Sequence, residues 1–306
     1  MKYYIEFPIN LYCNLQCSYC FHSEAFQLER DGKWDEKYRE SRLFSLDQYI
    51  SWRDKHLNGS EYICELHGGE MSHIKNREDV LNIISRFDKE KFQLQTNGLG
   101  DSEFYRKLFN FKNKIDRIGF TFHRYIIGNR IDLIKRFEEN VMLVKDLGFK
   151  IYVKELLMVE NRDKILENKS YWKKRGIDFR IQDFKGERGS TYEEYRNYTA
   201  LDKLLIYSEY KHYDKECSCR VGYKNVLIAG FNLLDGNVYG CWQDKCVIGN
   251  IINDWYDPNY KISRDRDGIN IKGVSKKYIG TYPKDVWKPG YEQKYKQITL
   301  EREHII

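Results

Sequence analysis

Six short apolar runs alternate with helical stretches over the first 185 residues, and no other feature limits the fold of this chain so tightly. The runs occupy residues 3–9, 62–66, 92–95, 117–122, 150–158 and 177–184 and read as strands. Between them stand helix signals. Ser45 with Gln48 forms a capping-box pattern ahead of Leu46, Tyr49 and Ile50. Asn76 precedes Val80, Ile83, Ile84 and Phe87, and Ser102 is placed to cap a helix carrying Phe104, Leu108 and Phe111. Ile134, Phe137, Val141 and Val144 form a further stripe that Gly148 ends, as Gly176 does after Tyr171 and Trp172. Strands separated by helices need crossover connections, which give a parallel sheet. Six such units are too few for a closed eight-stranded barrel. The expected fold is therefore α/β, a partial (β/α)6 TIM-type barrel, with its chemistry at the carboxyl ends of the strands.

The barrel is expected to span residues 1–185, followed by a polar, aperiodic linker at 186–199. Residues 200–306 then form a small cysteine-containing α+β extension with an aromatic and basic tail. This extension has a helix near 200–209 and a hairpin of 226–231 with 238–239 around Asp235-Gly236-Asn237. The formal charge of +6 is mild and dispersed, and the tail carries no positive run, so nucleic acid is not an expected partner. No apolar run is long enough to span a membrane, and the N-terminal segment lacks a signal-peptide core, so a cytoplasmic location is expected.

Eight cysteines in such a chain point to metal or redox work. Cys13, Cys17 and Cys20 directly follow the first strand. Three thiolates on one loop can bind three irons of a cubane cluster and leave the fourth iron open. The competing reading is zinc, with His22 as fourth ligand. Cys64, inside the second strand, reads as core packing. His67-Gly68-Gly69-Glu70 ends that strand, where paired glycines let backbone approach a ligand and a carboxylate can accept from an ammonium group.

The spacing CxxxCxxC, with Tyr19 just before the last cysteine, resembles the cluster loop of radical S-adenosylmethionine (radical SAM) enzymes. The Gly68-Gly69-Glu70 run resembles that family's GGE motif, with Met71 where many members have Pro. The resemblance covers residues 3–185. It implies a [4Fe-4S] cluster on Cys13, Cys17 and Cys20 whose open iron chelates S-adenosylmethionine, which is cleaved to a 5′-deoxyadenosyl radical that abstracts a substrate hydrogen. It further implies cofactor contacts from Tyr19, Gly68, Gly69, Glu70, Asn97, Thr121 and His123. His123 and Lys154 are candidate catalytic residues, Lys154 and Glu155 facing opposite sides of their strand. A small flavodoxin- or ferredoxin-type redox protein is the implied electron donor.

Cys217, Cys219, Cys241 and Cys246 flank the hairpin, a pattern similar to the SPASM and twitch extensions of that family. Their number allows one auxiliary iron–sulfur cluster. Structural zinc, or free thiols including one at Cys217 or Cys219 able to give a hydrogen atom, are the alternatives. The resemblance favours modification of a ribosomally made peptide, by crosslink, thioether formation or epimerisation. Radical dehydrogenation or rearrangement of a small metabolite, such as a sugar or nucleoside, is the second possibility, and a noncatalytic zinc-binding protein the third.

Overall fold

The computed structural model describes residues 2–15, 17, 20, 44–59, 61–157, 162–183, 226–231, 236–239, 247–257, 263–265 and 268–270. Tyr19, His22, Cys217, Cys219, Cys241, Cys246, the linker at 186–199 and the helix near 200–209 lie outside the described residues.

All six expected strands form: β1 (Lys2–Pro8), β2 (Glu61–His67), β3 (Glu90–Thr96), β4 (Ile115–Phe122), β5 (Ile151–Leu157) and β6 (Asp178–Asp183). They pair in parallel in the order β1-β2-β3-β4-β5-β6. Helices α1 (Leu46–His56), α2 (Arg77–Arg86), α3 (Ser102–Leu108), α4 (Arg124–Ile127), α5 (Ile131–Asp146) and α6 (Arg162–Lys174) alternate with them. The sheet stays open, an α/β partial barrel.

Local signals explain most boundaries. Ser45 and Gln48 close a reciprocal capping box at the start of α1. Gly148 and Gly176 follow α5 and α6 in the left-handed conformation that glycine adopts without penalty. Three helix expectations are corrected. Asp101 rather than Ser102 caps α3, its carboxylate accepting from the Glu103 N–H. Asn76 precedes α2 but its Oδ1 accepts no cap hydrogen bond; its NH2 group instead orients the side chain toward three loop carbonyls. α3 ends at Leu108, short of the expected Phe111, which lies with non-helical backbone angles in a 3-10 segment at Phe109–Lys114; the short α4 had no periodic signal.

Alternation gives the sheet two different faces. Phe7, Cys64, Phe92, Leu94, Phe120, Val153, Phe179 and Ile181 are buried on the helix-bearing face. There Phe7 packs on Tyr49 of α1, and Phe120 on Tyr105 of α3 and Phe137 of α5. Cys64 is fully buried, a small apolar filler as expected. The opposite face is polar, with Glu6, Glu65, Gln93 and Arg117 aligned across four strands. Thr121, Lys154 and Arg180 are aligned nearer the carboxyl ends.

One pairing was not foreseen. β7 (Val226–Phe231) pairs in parallel with the free edge of β1, and β8 (Asn237–Tyr239), β9 (Val247–Asn250) and β10 (Trp255–Tyr256) extend the same sheet antiparallel. β1 would otherwise present an unpaired edge. α1 clasps the far end: Trp52 Nε1 donates to the Trp255 carbonyl at 3.0 Å, and Lys55 and His56 pair with Asp254. β11 (Ser263–Asp265) and β12 (Gly268–Asn270) form a separate hairpin.

Candidate active site

Three loops meet at the carboxyl ends of β1, β2 and β3. The cysteine loop leaves β1 and is tied to the loop after β2 by main-chain hydrogen bonds, Gly69 N–H to Asn10 O at 3.0 Å and Glu70 N–H to Tyr12 O at 2.8 Å. This approach requires the glycines. A Cβ on Gly68 would lie 2.4 Å from the Ile9 carbonyl oxygen, and one on Gly69 2.2 Å from that of Tyr12. The glycines thus seat the cysteine loop itself, a role the sequence reading did not assign them. Asn76, fully buried, rivets the junction by donating to the carbonyls of Asn10, Tyr12 and Glu70.

Glu70 joins the loops from the other side. Its carboxylate points inward and is 3% exposed. Oε1 accepts from the Ser72 N–H and hydroxyl and from the Thr96 hydroxyl, and Oε2 accepts from the Asn97 N–H at 2.6 Å. Burial pushes its pKa up, while those donors pull it back. The carboxylate is a clamp between the ends of β2 and β3, accepting from Ser72, Thr96 and Asn97.

Cys13 is half-buried, Cys17 buried and Cys20 half-buried. Cys20 N–H donates to Cys17 O at 3.0 Å, closing the turn between them. The Cys13 thiol is pushed up to about 12, first by burial, then by the charge of Glu70, with smaller contributions from Cys20 and Cys17. The three thiols therefore share one electrostatic neighbourhood. Asn97 Nδ2 donates to Asn14 Oδ1 at 2.6 Å and faces the Cys13 sulfur at 3.8 Å. Asn140, buried in the apolar stripe of α5, holds the loop after β3 by donating to the carbonyls of Gly98 and Gly100. A lone Asn within that stripe was the overlooked signal.

His123 leaves β4 and heads the short α4, where its carbonyl accepts from Ile126 and Ile127 N–H. Its Nδ1 lies 3.6 Å from Cys17 Sγ. Burial and then the positive charge of Lys154 lower its pKa to about 4, so the ring is neutral. Lys154 belongs to the polar face with Thr121, its partner in register. Glu155 faces the helices, where Asn168 of α6 donates to it at 2.8 Å.

Fold and site together define an open parallel α/β barrel with a cysteine loop at the carboxyl ends of its strands. Among solved structures, the chain is similar to native anSMEcpe with bound AdoMet, at 16% identity and a TM-score of 0.54, covering 82% of this chain and 78% of that one. It is also similar to a histidine-tagged form of anSMEcpe with bound AdoMet, at 18% identity, a TM-score of 0.55 and coverage of 82% and 75%. Native anSMEcpe with bound AdoMet and the Cp18Cys peptide gives 18% identity, a TM-score of 0.54 and coverage of 82% and 77%. At these identities the likeness establishes the fold. No protein-family profile matches the chain, and no curated relative does.

Proposed function

We propose that this protein is a radical SAM enzyme that acts on a peptide. The observation that carries the reading is the meeting of the cysteine loop, the Gly68-Gly69-Glu70 loop and Asn97 at the ends of three adjacent parallel strands. The donor set fits a cubane. Cys17 and Cys20 lie near enough to Cys13 to raise its proton affinity.

In this reading Cys13, Cys17 and Cys20 hold the cluster. When bound, the cluster and S-adenosylmethionine supply the electron transfer and the hydrogen-abstracting radical. The chain's own residues seat and orient. Gly68 and Gly69 let the cysteine loop settle on β2, and Glu70 fixes the end of β3 against it. Tyr19, Thr121 and the main chain at Gly68-Gly69-Glu70 are assigned to the adenosylmethionine. Lys154 and Thr121 line the polar face where substrate would lie. The peptide assignment is supported by the likeness to anSMEcpe, solved with an added Cp18Cys peptide, and by a sheet face lined with polar groups. Cys217, Cys219, Cys241 and Cys246 are assigned to one auxiliary iron–sulfur cluster, and a flavodoxin- or ferredoxin-type protein to electron supply.

The test is turnover. Reconstituted anaerobically and reduced, the protein converts S-adenosylmethionine to 5′-deoxyadenosine, and Cys17→Ala abolishes this. Undiminished turnover in Cys17→Ala would overturn the ligand assignment.

A further inference from the structure

Two side chains from neighbouring strand ends face sulfurs of different cysteines. Asn97, after β3, brings Nδ2 to 3.8 Å from Cys13 Sγ, and His123, after β4, brings Nδ1 to 3.6 Å from Cys17 Sγ. Asn97 is anchored by its main-chain N–H on Glu70 Oε2, and its Oδ1 accepts from Leu99 N–H at 3.0 Å. The amide oxygen is therefore committed to a backbone donor, and only the NH2 group can turn toward Asn14 and Cys13. The main chain of His123 is held by the turn it starts, and its Nδ1 faces Cys17 Sγ. Opposite a metal-bound thiolate, which has no proton to give, Nδ1 carries the hydrogen.

We infer, resting on the cluster reading above, that Asn97 and His123 are positioning residues that donate N–H···S hydrogen bonds to Cys13 and Cys17 and raise the cluster's reduction potential. An added electron increases negative charge on the sulfurs, so a donor aimed at them stabilises the reduced state more than the oxidised one. Asn97 is thereby drawn away from the ribose or methionine role its place in the sequence suggests.

The experiment is an EPR-monitored redox titration of the reconstituted full chain, with iron and sulfide determined alongside. Asn97→Ala and His123→Ala are each expected to lower the equilibrium constant for reduction about tenfold, a shift of about 59 mV to more negative potential for one electron. His123→Asn returns an amide N–H to the Nδ1 position and restores the potential. Asn14→Ala removes the other partner of Asn97 while keeping the donor to sulfur, and leaves the potential unchanged. Wild-type potentials in Asn97→Ala and His123→Ala at full iron content would overturn the inference. So would an Asn14→Ala shift as large as that of Asn97→Ala, which would mean general loosening of the loop. Should Asn97→Ala fail to hold a cluster, the His123→Ala and His123→Asn pair decides alone. A wild-type chain that assembles no cluster removes the radical SAM reading as well. One that cleaves S-adenosylmethionine with unshifted variants removes this inference only.

Discussion

Replacing Glu70 by Gln tests the clamp at the centre of the site with a change of only one heavy atom. Each carboxylate oxygen of Glu70 faces a backbone N–H, Ser72 on Oε1 and Asn97 on Oε2. A hydroxyl can rotate to accommodate an amide, but a backbone N–H cannot. Whichever way the Gln amide turns, its NH2 meets one of these donors, and a buried N–H loses its acceptor. Such a loss costs about 1–3 kcal/mol, or about 2–5 °C in Tm for a chain of this length. The penalty is also pH-dependent. Burial raises the folded-state pKa of Glu70, so its contribution is fully present below the ordinary carboxylate value and is lost as pH rises through the raised one. The gap between wild type and Glu70→Gln therefore narrows with rising pH. Thermal unfolding of the anaerobic protein across that range measures both effects. A variant with wild-type Tm at every pH, and with unaltered 5′-deoxyadenosine formation, would refute the clamp.

Arg53 is fully buried, with its guanidinium on Glu90, Asp88 and Asp54. Arg53→Met strands the buried Glu90 carboxylate, costs about 3–5 kcal/mol in urea denaturation, and is largely rescued by Arg53→Met with Glu90→Leu; a single variant of wild-type stability would contradict this. Gly69→Ala forces its Cβ onto the Tyr12 carbonyl, so iron and sulfide retained after reconstitution fall steeply, and full retention would show that the loops are not packed as described. Trp52→Phe removes the hydrogen bond to the Trp255 carbonyl, which is worth about 1 kcal/mol. Proteolysis near β10 then accelerates, whereas an unchanged cleavage pattern would mean that α1 does not hold the extension.

The strands were legible because each lies between an apolar helix layer and a polar face, so composition and alternation mark it twice. All six formed within a few residues of their expected limits. The Ser45 capping box was legible for a similar reason, since its two partners are three residues apart and nothing tertiary competes. Asn76 shows the opposite case. Sequence marks it as a helix start, but three carbonyls from two loops claim its amide. Glu70 was legible as important but not in its orientation, because its donors, Thr96 and Asn97, come from another strand end. The pairing of β7 with β1 joins segments more than two hundred residues apart, and no local pattern encodes that register. The cysteine spacing was read correctly as one loop, whereas the approach of Asn97 and His123 to its sulfurs depends on how β3 and β4 end.

The central claim is that a three-thiolate cluster keeps one iron free for S-adenosylmethionine. EPR spectra of the anaerobically reconstituted, reduced protein, recorded before and after that compound is added, test it most directly. A [4Fe-4S] signal that changes shape on addition and disappears in Cys17→Ala is the predicted result. A signal indifferent to S-adenosylmethionine, or a colourless protein holding stoichiometric zinc at these cysteines, would contradict the account.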